Sequence, residues 1–444
     1  MQKTIISFVA IFVFLSCSYQ NNKAENDSFA KQPDAQFAAS EHPDRILQSV
    51  SEDPSRQINL SWRSSSEVEA GFIEYSVLSS EIKKTPELET EHAFVVPVTF
   101  ENTTDHYFQA RLTGLQPNTS YMMRAGSESH RSEWFTTRTA PETFEPYHFL
   151  YFGDMQNDIM EYGSRTFRKA FSSYPDSRFM IHAGDLVLSS GDDSTWGEWF
   201  YAGGWSFQQI PSLPVAGNSD HYRMQETPVD KRMLFPQWNG IFQLPNNGPS
   251  GLENLSYYVD YPNLRVISLY TNFESAGKDE REIYVDKHTK LTDDLFHNQL
   301  RWMETVLAEN TQLWTVVVMH HPVFTAREER DNALLQEYFL PLFEKHQVDL
   351  VLQGHDHVYA RGTNPELGNE SQLPVYVISI SGGKMREVND DYTWISKAVE
   401  NTQIYSVIHI ESNSLKLESF DVTGKLRDSF KIRLTSDPKK ILDH

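Results

Sequence analysis

Five apolar runs, each ending on a side chain able to hold a metal ion, constrain this chain more than any other feature. His148-Phe149-Leu150-Tyr151-Phe152 leads into Gly153-Asp154-Met155-Gln156, and Arg178 to Ala183 leads into Gly184-Asp185. Leu213 to Ala216 leads into Gly217-Asn218, Leu313 to Met319 into His320-His321-Pro322, and Val348 to Gln353 into Gly354-His355-Asp356-His357. Short apolar runs bounded by such turns read as buried strands. Between them lie helical stripes: Phe296, Leu300, Met303 and Leu307 within Asp293 to Asn310, and Leu334, Leu335, Phe339, Leu342 and Phe343 within Asn332 to Gln347. Strands alternating with helices predict an α/β layered domain. In such sheets the groups at the carboxyl ends of the strands meet in one crevice.

Taken singly, each cluster has a plainer reading. A lone Gly-Asp is commonly a turn closed by the Asp side chain, His-His-Pro a loop start, and Asn218 a turn residue. The four glycines before the donors, Gly153, Gly184, Gly217 and Gly354, allow tight turns and close backbone approach where a strand releases its last residue.

The segment from Pro43 to Thr139 has no long helical pattern. Ile58 to Trp62, Gly71 to Val77, Phe94 to Val98, Ser120 to Gly126 and Ser132 to Thr137 are short runs with turn residues between them, which predicts an all-β sandwich. Leu112-Thr113-Gly114-Leu115-Gln116-Pro117-Asn118-Thr119-Ser120-Tyr121 resembles the corner of fibronectin type III domains and the N-terminal domain of purple acid phosphatases. No catalytic motif falls in this part, and its Trp and Tyr residues read as core.

The succession G-D, G-D, G-N, V-x-x-H, G-H-x-H resembles the calcineurin-like metallophosphoesterase superfamily, and with the sandwich in front it resembles the purple acid phosphatase branch. The resemblance implies a fibronectin III/Ig-like sandwich over 43–140 and an α/β metallophosphoesterase domain, a layered β-sandwich flanked by helices, over 145–434. It implies that Asp154, Asp185 and His357 hold a first metal ion, that Asp185 bridges to a second, and that Asn218, His320 and His355 complete the second. A bridging carboxylate lets two cations sit close together, and imidazole and carboxamide ligands leave positions open for water and substrate. The activity implied is hydrolysis of phosphate monoesters on small phosphorylated substrates, with two metal ions lowering the pKa of a bound water whose hydroxide attacks phosphorus in line. A phosphodiesterase or nucleotidase on the same site is the alternative.

Three positions depart from the family pattern. Where purple acid phosphatases carry a tyrosine three residues after the second Asp, this chain has Leu188, so a protein without the purple colour is expected, and manganese, zinc or ferrous iron join ferric iron as candidates. Gln156 stands where other metallophosphoesterases place a His, either as a weak ligand or as a hydrogen-bonding neighbour. The His that usually follows the ligating Asn is displaced, because Ser219 and Asp220 intervene before His221. His221, backed by Asp220, reaches the leaving oxygen if the loop bulges; His321 is a further candidate. His182 reads as a core histidine.

Composition sets the compartment. Lys3 precedes an apolar run from Ile5 to Leu15 that is too short for an ordinary membrane span. Cys17 is the only cysteine, and Leu15-Ser16-Cys17 resembles the lipobox of bacterial lipoproteins. Residues 1–17 are therefore expected to be a lipoprotein signal, 18–42 a polar tether, and the mature chain a lipid-anchored protein of the bacterial cell envelope. The formal charge of −22 argues against bulk nucleic-acid binding and requires any attraction for phosphate to be local, from bound cations. The chain lacks G-x-x-x-x-G-K, G-x-S-x-G and H-E-x-x-H motifs. A non-catalytic surface lipoprotein is a further alternative, with the aromatic insertion Trp196, Trp199, Phe200, Tyr201 and Trp205 offering a stacking surface. Such degeneration predicts loss of the metal ligands, and they are retained.

Overall fold

The computed structural model describes residues 35–80, 87–100, 103–221, 234–272, 293–328, 330, 332–367, 373–389, 391–435 and 440–443. The signal, Cys17 and the expected tether as far as residue 34 lie outside them. Among the described residues no helix is long and apolar enough to cross a membrane.

The N-terminal part comprises β1 (Asp44–Ser49), β2 (Ile58–Ser65), β3 (Phe72–Val77), β4 (Glu89–His92), β5 (Phe94–Phe100), β6 (Thr103–Leu112), β7 (Ser120–Gly126) and β8 (Phe135–Arg138). The alternation read in the sequence is real: β3 and β7 bury every second residue, as a pleated strand with one covered face must. The sheet β4-β3-β7-β8 packs on β1-β2-β6-β5 around Trp62, Phe108, Ile73, Tyr121 and Met123. Trp62 stacks on Phe108 with centroids 5.4 Å apart. Pro97 is accommodated because β5 lies at a sheet edge, where a missing N–H costs no ladder bond.

The second part adds β9 (Tyr147–Phe152), β10 (Met180–His182), β11 (Ser212–Pro214), β12 (Tyr257–Tyr261), β13 (Leu264–Leu269), β14 (Trp314–Met319), β15 (Leu350–Gln353), β16 (Tyr359–Thr363), β17 (Val375–Ile378) and β18 (Ile395–Val399), then the closing strands β19 (Ile404–Ile410), β20 (Ser414–Asp421), β21 (Leu426–Arg433) and β22 (Lys440–Asp443). Strands β9, β10 and β11 pair in parallel, as do β13, β14, β15 and β17. Every residue of β13, β14 and β15 is buried, which explains their predominantly apolar sequence. The two sheets face each other: the Tyr151 hydroxyl of one donates to the Gln353 carbonyl of the other, and that of Tyr257 donates to Pro214 O at 2.7 Å. The fold is thus a strand-rich N-terminal domain followed by a layered α/β domain, as expected.

Two findings refine the sequence reading. The N-terminal sandwich does not stand apart, because β1 pairs in parallel with β11 at Ser49 and Ser212 and one sheet runs β22-β21-β20-β19-β9-β10-β11-β1-β2-β6-β5. A three-residue strand such as β11 would otherwise expose an open edge. The end of the expected tether is also docked: Phe37 O accepts from Arg63 Nη2 at 2.7 Å, and the Phe37 ring fills the space left by the missing side chain of Gly197.

The helices include α1 (Ser164–Ser173), α2 (Asp193–Gly203), α3 (Ser206–Gln209), α4 (Pro236–Ile241) and α5 (Asp293–Ala308). The stripe expected over 332–347 forms two helices, α6 (Ala333–Tyr338) and α7 (Leu340–Lys345). Pro341 accounts for the break, having no N–H for the preceding turn and a ring that collides with its carbonyl. The aromatic insertion is mostly interior: Trp196, Trp199 and Phe200 are buried in the core, so they offer no stacking surface, whereas Tyr201 and Trp205 are exposed.

Candidate metal centre

The carboxyl ends of β9, β10, β14 and β15 and the loop after β11 open on one side of the layered sandwich. The site grows from backbone turns that only unusual conformations allow. Gly184 has φ +87°, and a methyl group there would run into the His320 ring; one on Gly217 would meet Asp185. Asp185, His355 and His357 themselves lie at φ +50°, +73° and +58°, the left-handed region that costs a non-glycine residue on the order of 1–3 kcal/mol. The chain holds three donor residues in a strained conformation at the point where they converge.

Donor atoms of Asp154, Asp185 and His357 lie within 4.8 Å of one another, and so do those of His320, His321 and His355; all six residues are buried. Asn218 joins the second group, with Oδ1 3.0 Å from both His320 Nε2 and His355 Nδ1. His320 Nε2 is 3.2 Å from His355 Nδ1 and 3.3 Å from Asp185 Oδ1. Four donors at about 2.1 Å from one divalent ion stand about 3.4 Å apart, so this spacing suits an ion. A proton can bridge one such pair but not four donors.

The surrounding backbone fixes the imidazole tautomers. His320 Nδ1 donates to Ala183 O at 2.9 Å and His357 Nδ1 to Lys384 O at 3.0 Å, which leaves the Nε2 lone pair of each facing the cluster. Asp154 Oδ2 accepts from the His355 amide at 2.6 Å, while its Oδ1 is buried with His357 Nε2 3.8 Å away and no hydrogen-bond partner among the described residues. Burial above all, with the like charge of Asp185, pushes the Asp154 carboxyl up to about 7. Burial also holds His355 and His357 well below the usual histidine value, in the neutral form that binds metal. The orphaned oxygen, the donor spacing and the neutral imidazoles all fit a pair of cations bridged by Asp185.

Gln156 lies inside the first group. Its amide donates to Asp185 Oδ2, stands 3.2 Å from His357 Nε2, and accepts through Oε1 from Ser219 Oγ at 3.1 Å. Ser219 was passed over in the sequence, yet its N–H and hydroxyl bind Asp185 at 2.7 and 3.0 Å. Its position directly after Asn218 was the available signal. Thr271, two residues beyond β13, was also missed; its Oγ1 stands 3.0 Å from His321 Nδ1 and accepts the His321 amide at 3.1 Å.

Asp220 and His221 depart from expectation. Asp220 does not back His221 but braces the turns, accepting from the amides of Leu186 at 3.0 Å and Gly217 at 2.7 Å. These buried amides need an acceptor, and Asp220 is within reach of both. His221 has both ring nitrogens engaged, Nδ1 at 2.8 Å from Gly217 O and Nε2 at 2.5 Å from the Tyr270 hydroxyl. His182 is a core histidine, stacked on Phe152 at 5.7 Å, but its buried Nε2 has no hydrogen-bond partner among the described residues, and burial pushes it down to about 3.

Fold and donor clusters together are those of a phosphoesterase-type domain with buried His/Asp clusters able to hold metal. Residues 147–359 match the calcineurin-like phosphoesterase family, and residues 43–139 match the purple acid phosphatase N-terminal domain. The chain thus carries a calcineurin-like metallophosphoesterase domain with a purple acid phosphatase N-terminal domain in front of it. It is 29% identical over 301 residues to an uncharacterized protein of Mycobacterium tuberculosis, covering 62% of this chain and 55% of that protein. It is 25% identical over 288 residues to probable purple acid phosphatase 20 of Arabidopsis thaliana, covering 63% and 61%. The chain therefore spans little more than half the length of these relatives. In fold it is similar to a purple acid phosphatase from yellow lupin (Lupinus luteus) seeds, with TM-score 0.69, 17% identity, and 88% of this chain and 74% of that one covered. It is also similar to PhoD, with TM-score 0.67, 14% identity, and 91% and 93% covered. A dinuclear metal centre is typical of this family.

Proposed function

We propose that this protein hydrolyses phosphate monoesters at two metal ions, the first held by Asp154, Asp185 and His357 and the second by Asp185, Asn218, His320 and His355. The observation that carries the reading is the convergence of these buried donors on one cluster with an unpartnered carboxylate oxygen. When bound, the ions acidify a water and neutralise charge on the phosphate. The chain's own part is to hold Asp185 between the two groups through Ser219 and Gln156, and to keep His320 and His357 in the ligating tautomer through Ala183 O and Lys384 O. Lys384 adds a cation near the acidic pair; burial lowers its pKa, against the pull of Asp185 and Asp154. A dianionic monoester benefits from that extra cation more than a monoanionic diester does.

The test is turnover of a chromogenic phosphate monoester and a matched diester, after chelation and return of manganese, zinc or iron, alongside Asp185→Asn. Metal-dependent turnover lost in the variant supports the hydrolase, and the monoester-to-diester ratio tests the substrate class. Attachment to a bacterial envelope through Cys17 is part of the same proposal, supported by Leu15-Ser16-Cys17 after the apolar run. Replacing Cys17 with Ala should move the protein from the membrane fraction to the soluble one; retention in the membrane contradicts the anchor.

A further inference from the structure

A cavity of about 310 Å³ opens where the two domains meet, within the size range of small-molecule sites. Its walls come from the turn between β1 and β2, the link that follows β8, and the end of β12 with the turn after it. Gln312 closes it just before β14 begins at Trp314. His320 follows the other end of β14, so the length of a six-residue strand, about 20 Å, lies between the cavity and the metal donors. An occupant here is out of reach of the metal centre.

Three carboxylates line the cavity, Asp53, Glu142 and Asp260, and no Lys, Arg or His does. Glu142 is paired with Arg56 at 2.5 Å and Asp260 with Arg265 at 2.7 Å. Asp53 accepts only from the Ser55 amide and hydroxyl, at 3.1 and 2.6 Å, and pairs with no cation among the described residues. Two guanidiniums therefore answer three carboxylates. A separate pocket of about 10 Å³ shares Tyr261 and holds Arg138 and Arg178, but it has room for no more than a water. Arg178 is paired with Glu145, and Arg138 donates to Asn118 O at 3.4 Å.

Tyr261 supplies an independent sign of a ligand. It is 3% exposed, its ring is stacked on Phe179 with centroids 4.5 Å apart, and its hydroxyl has no hydrogen-bond partner among the described residues. Burial raises its pKa, so the hydroxyl is neutral. Two neighbouring buried tyrosines are paired: Tyr147 donates to Pro262 O at 3.2 Å and Tyr257 to Pro214 O at 2.7 Å. A buried hydroxyl ordinarily has a partner, and the cavity is where one can come from. The three carboxylates are not among the groups close enough to share a metal ion, and Pro54, Pro141 and Pro262 make the walls apolar. Such a lining suits an organic cation.

We propose that the cavity binds a primary alkylammonium ion, whose N–H groups donate to the Tyr261 hydroxyl and the Asp53 carboxylate while its aliphatic chain lies on the proline rings. An ammonium has three donors and no acceptor, which matches a surplus carboxylate beside an unpartnered hydroxyl. The site does not depend on the hydrolase reading, and because its walls come from both domains an occupant also ties them together.

The experiment titrates the full chain, with manganese present, with pentylamine at neutral pH and low salt, followed by calorimetry, and uses 1-pentanol as the uncharged analogue. The amine should fill one saturable site per chain and the alcohol none. Tyr261→Phe, which keeps the ring on Phe179, should weaken binding by about tenfold, the worth of a hydrogen bond to a charged group. Asp53→Asn, at an exposed position, should weaken it by about two- to fivefold, as for a solvent-facing ion pair. Asp185→Asn should bind the amine as the wild type does, which separates this cavity from the metal centre. No saturable binding of the amine, equal binding of the alcohol, an affinity unchanged in both Tyr261→Phe and Asp53→Asn, or loss of the site in Asp185→Asn overturns the proposal.

Discussion

Two buried clusters of charge in the molecule solve opposite problems. At the junction of the two domains, Asp193 accepts from both terminal nitrogens of Arg45 at 2.7 Å, from Arg63 at 3.2 Å and from Gln237 at 2.6 Å. Arg63 is paired in turn with Asp44 and Asp105. Burial pushes Asp193 upward, but the guanidiniums outweigh it and hold it below the usual carboxylate range. In the metal centre Asp154 and Asp185 lie together with, among the described residues, no guanidinium bound to either and no hydrogen-bond partner for Asp154 Oδ1, and Asp154 is pushed up. Buried carboxylates are tolerated when paired and costly when not. The junction carries its own cations; the site must acquire them.

The comparison can be broken most sharply by activity. Asp185→Asn should lower turnover by about a thousandfold, the scale of losing a key electrostatic group, whereas Asp193→Asn, assayed below its melting temperature, should stay within about tenfold of wild type. Comparable losses in the two variants would mean that the clusters do not differ in kind.

Stability should reverse that order. Removing one partner of a buried ion pair costs on the order of 3–5 kcal/mol, so Asp193→Asn should melt well below wild type whether or not metal is present. Asp154→Asn in metal-free protein should melt at or above wild type, because it removes an uncompensated carboxylate. Thermal denaturation with and without chelator reads both.

The pH dependence should have opposite signs. Asp154 is raised in the folded, metal-free state, so its contribution is present below the unfolded value near 4 and is lost as pH rises towards 7. Asp193 is lowered, so its contribution is present above that value and is lost as pH falls through the folded one. Bound metal should abolish the first trend and leave the second. At a hundredfold excess over its Kd, each bound ion should stabilise the wild type by about 2.7 kcal/mol.

The sequence showed the site more fully than the junction. Asp154, Asp185, Asn218, His320, His355 and His357 each follow a strand, so local pattern brought them to one crevice, while their division into two ligand sets is what the family resemblance implies. Arg45 and Asp193 are 148 residues apart, and neither lies in a motif, so only the folded chain brings them together. The pairing of β1 with β11 was hidden for the same reason. Asp220 and His221 were misplaced because adjacency in sequence suggested a pair, where the turn sends their side chains to different backbone groups. Ser219 and Thr271 were overlooked because a hydroxyl that orients a ligand has no spacing rule of its own.

The central claim is that the buried donors hold two ions, and metal stoichiometry tests it most directly. Chelated protein titrated with manganese or zinc, followed by elemental analysis, should bind two ions per chain in the wild type and fewer in Asp185→Asn, which weakens the shared ligand. A wild type that binds none, or whose occupancy is unchanged by Asp185→Asn, would contradict the account.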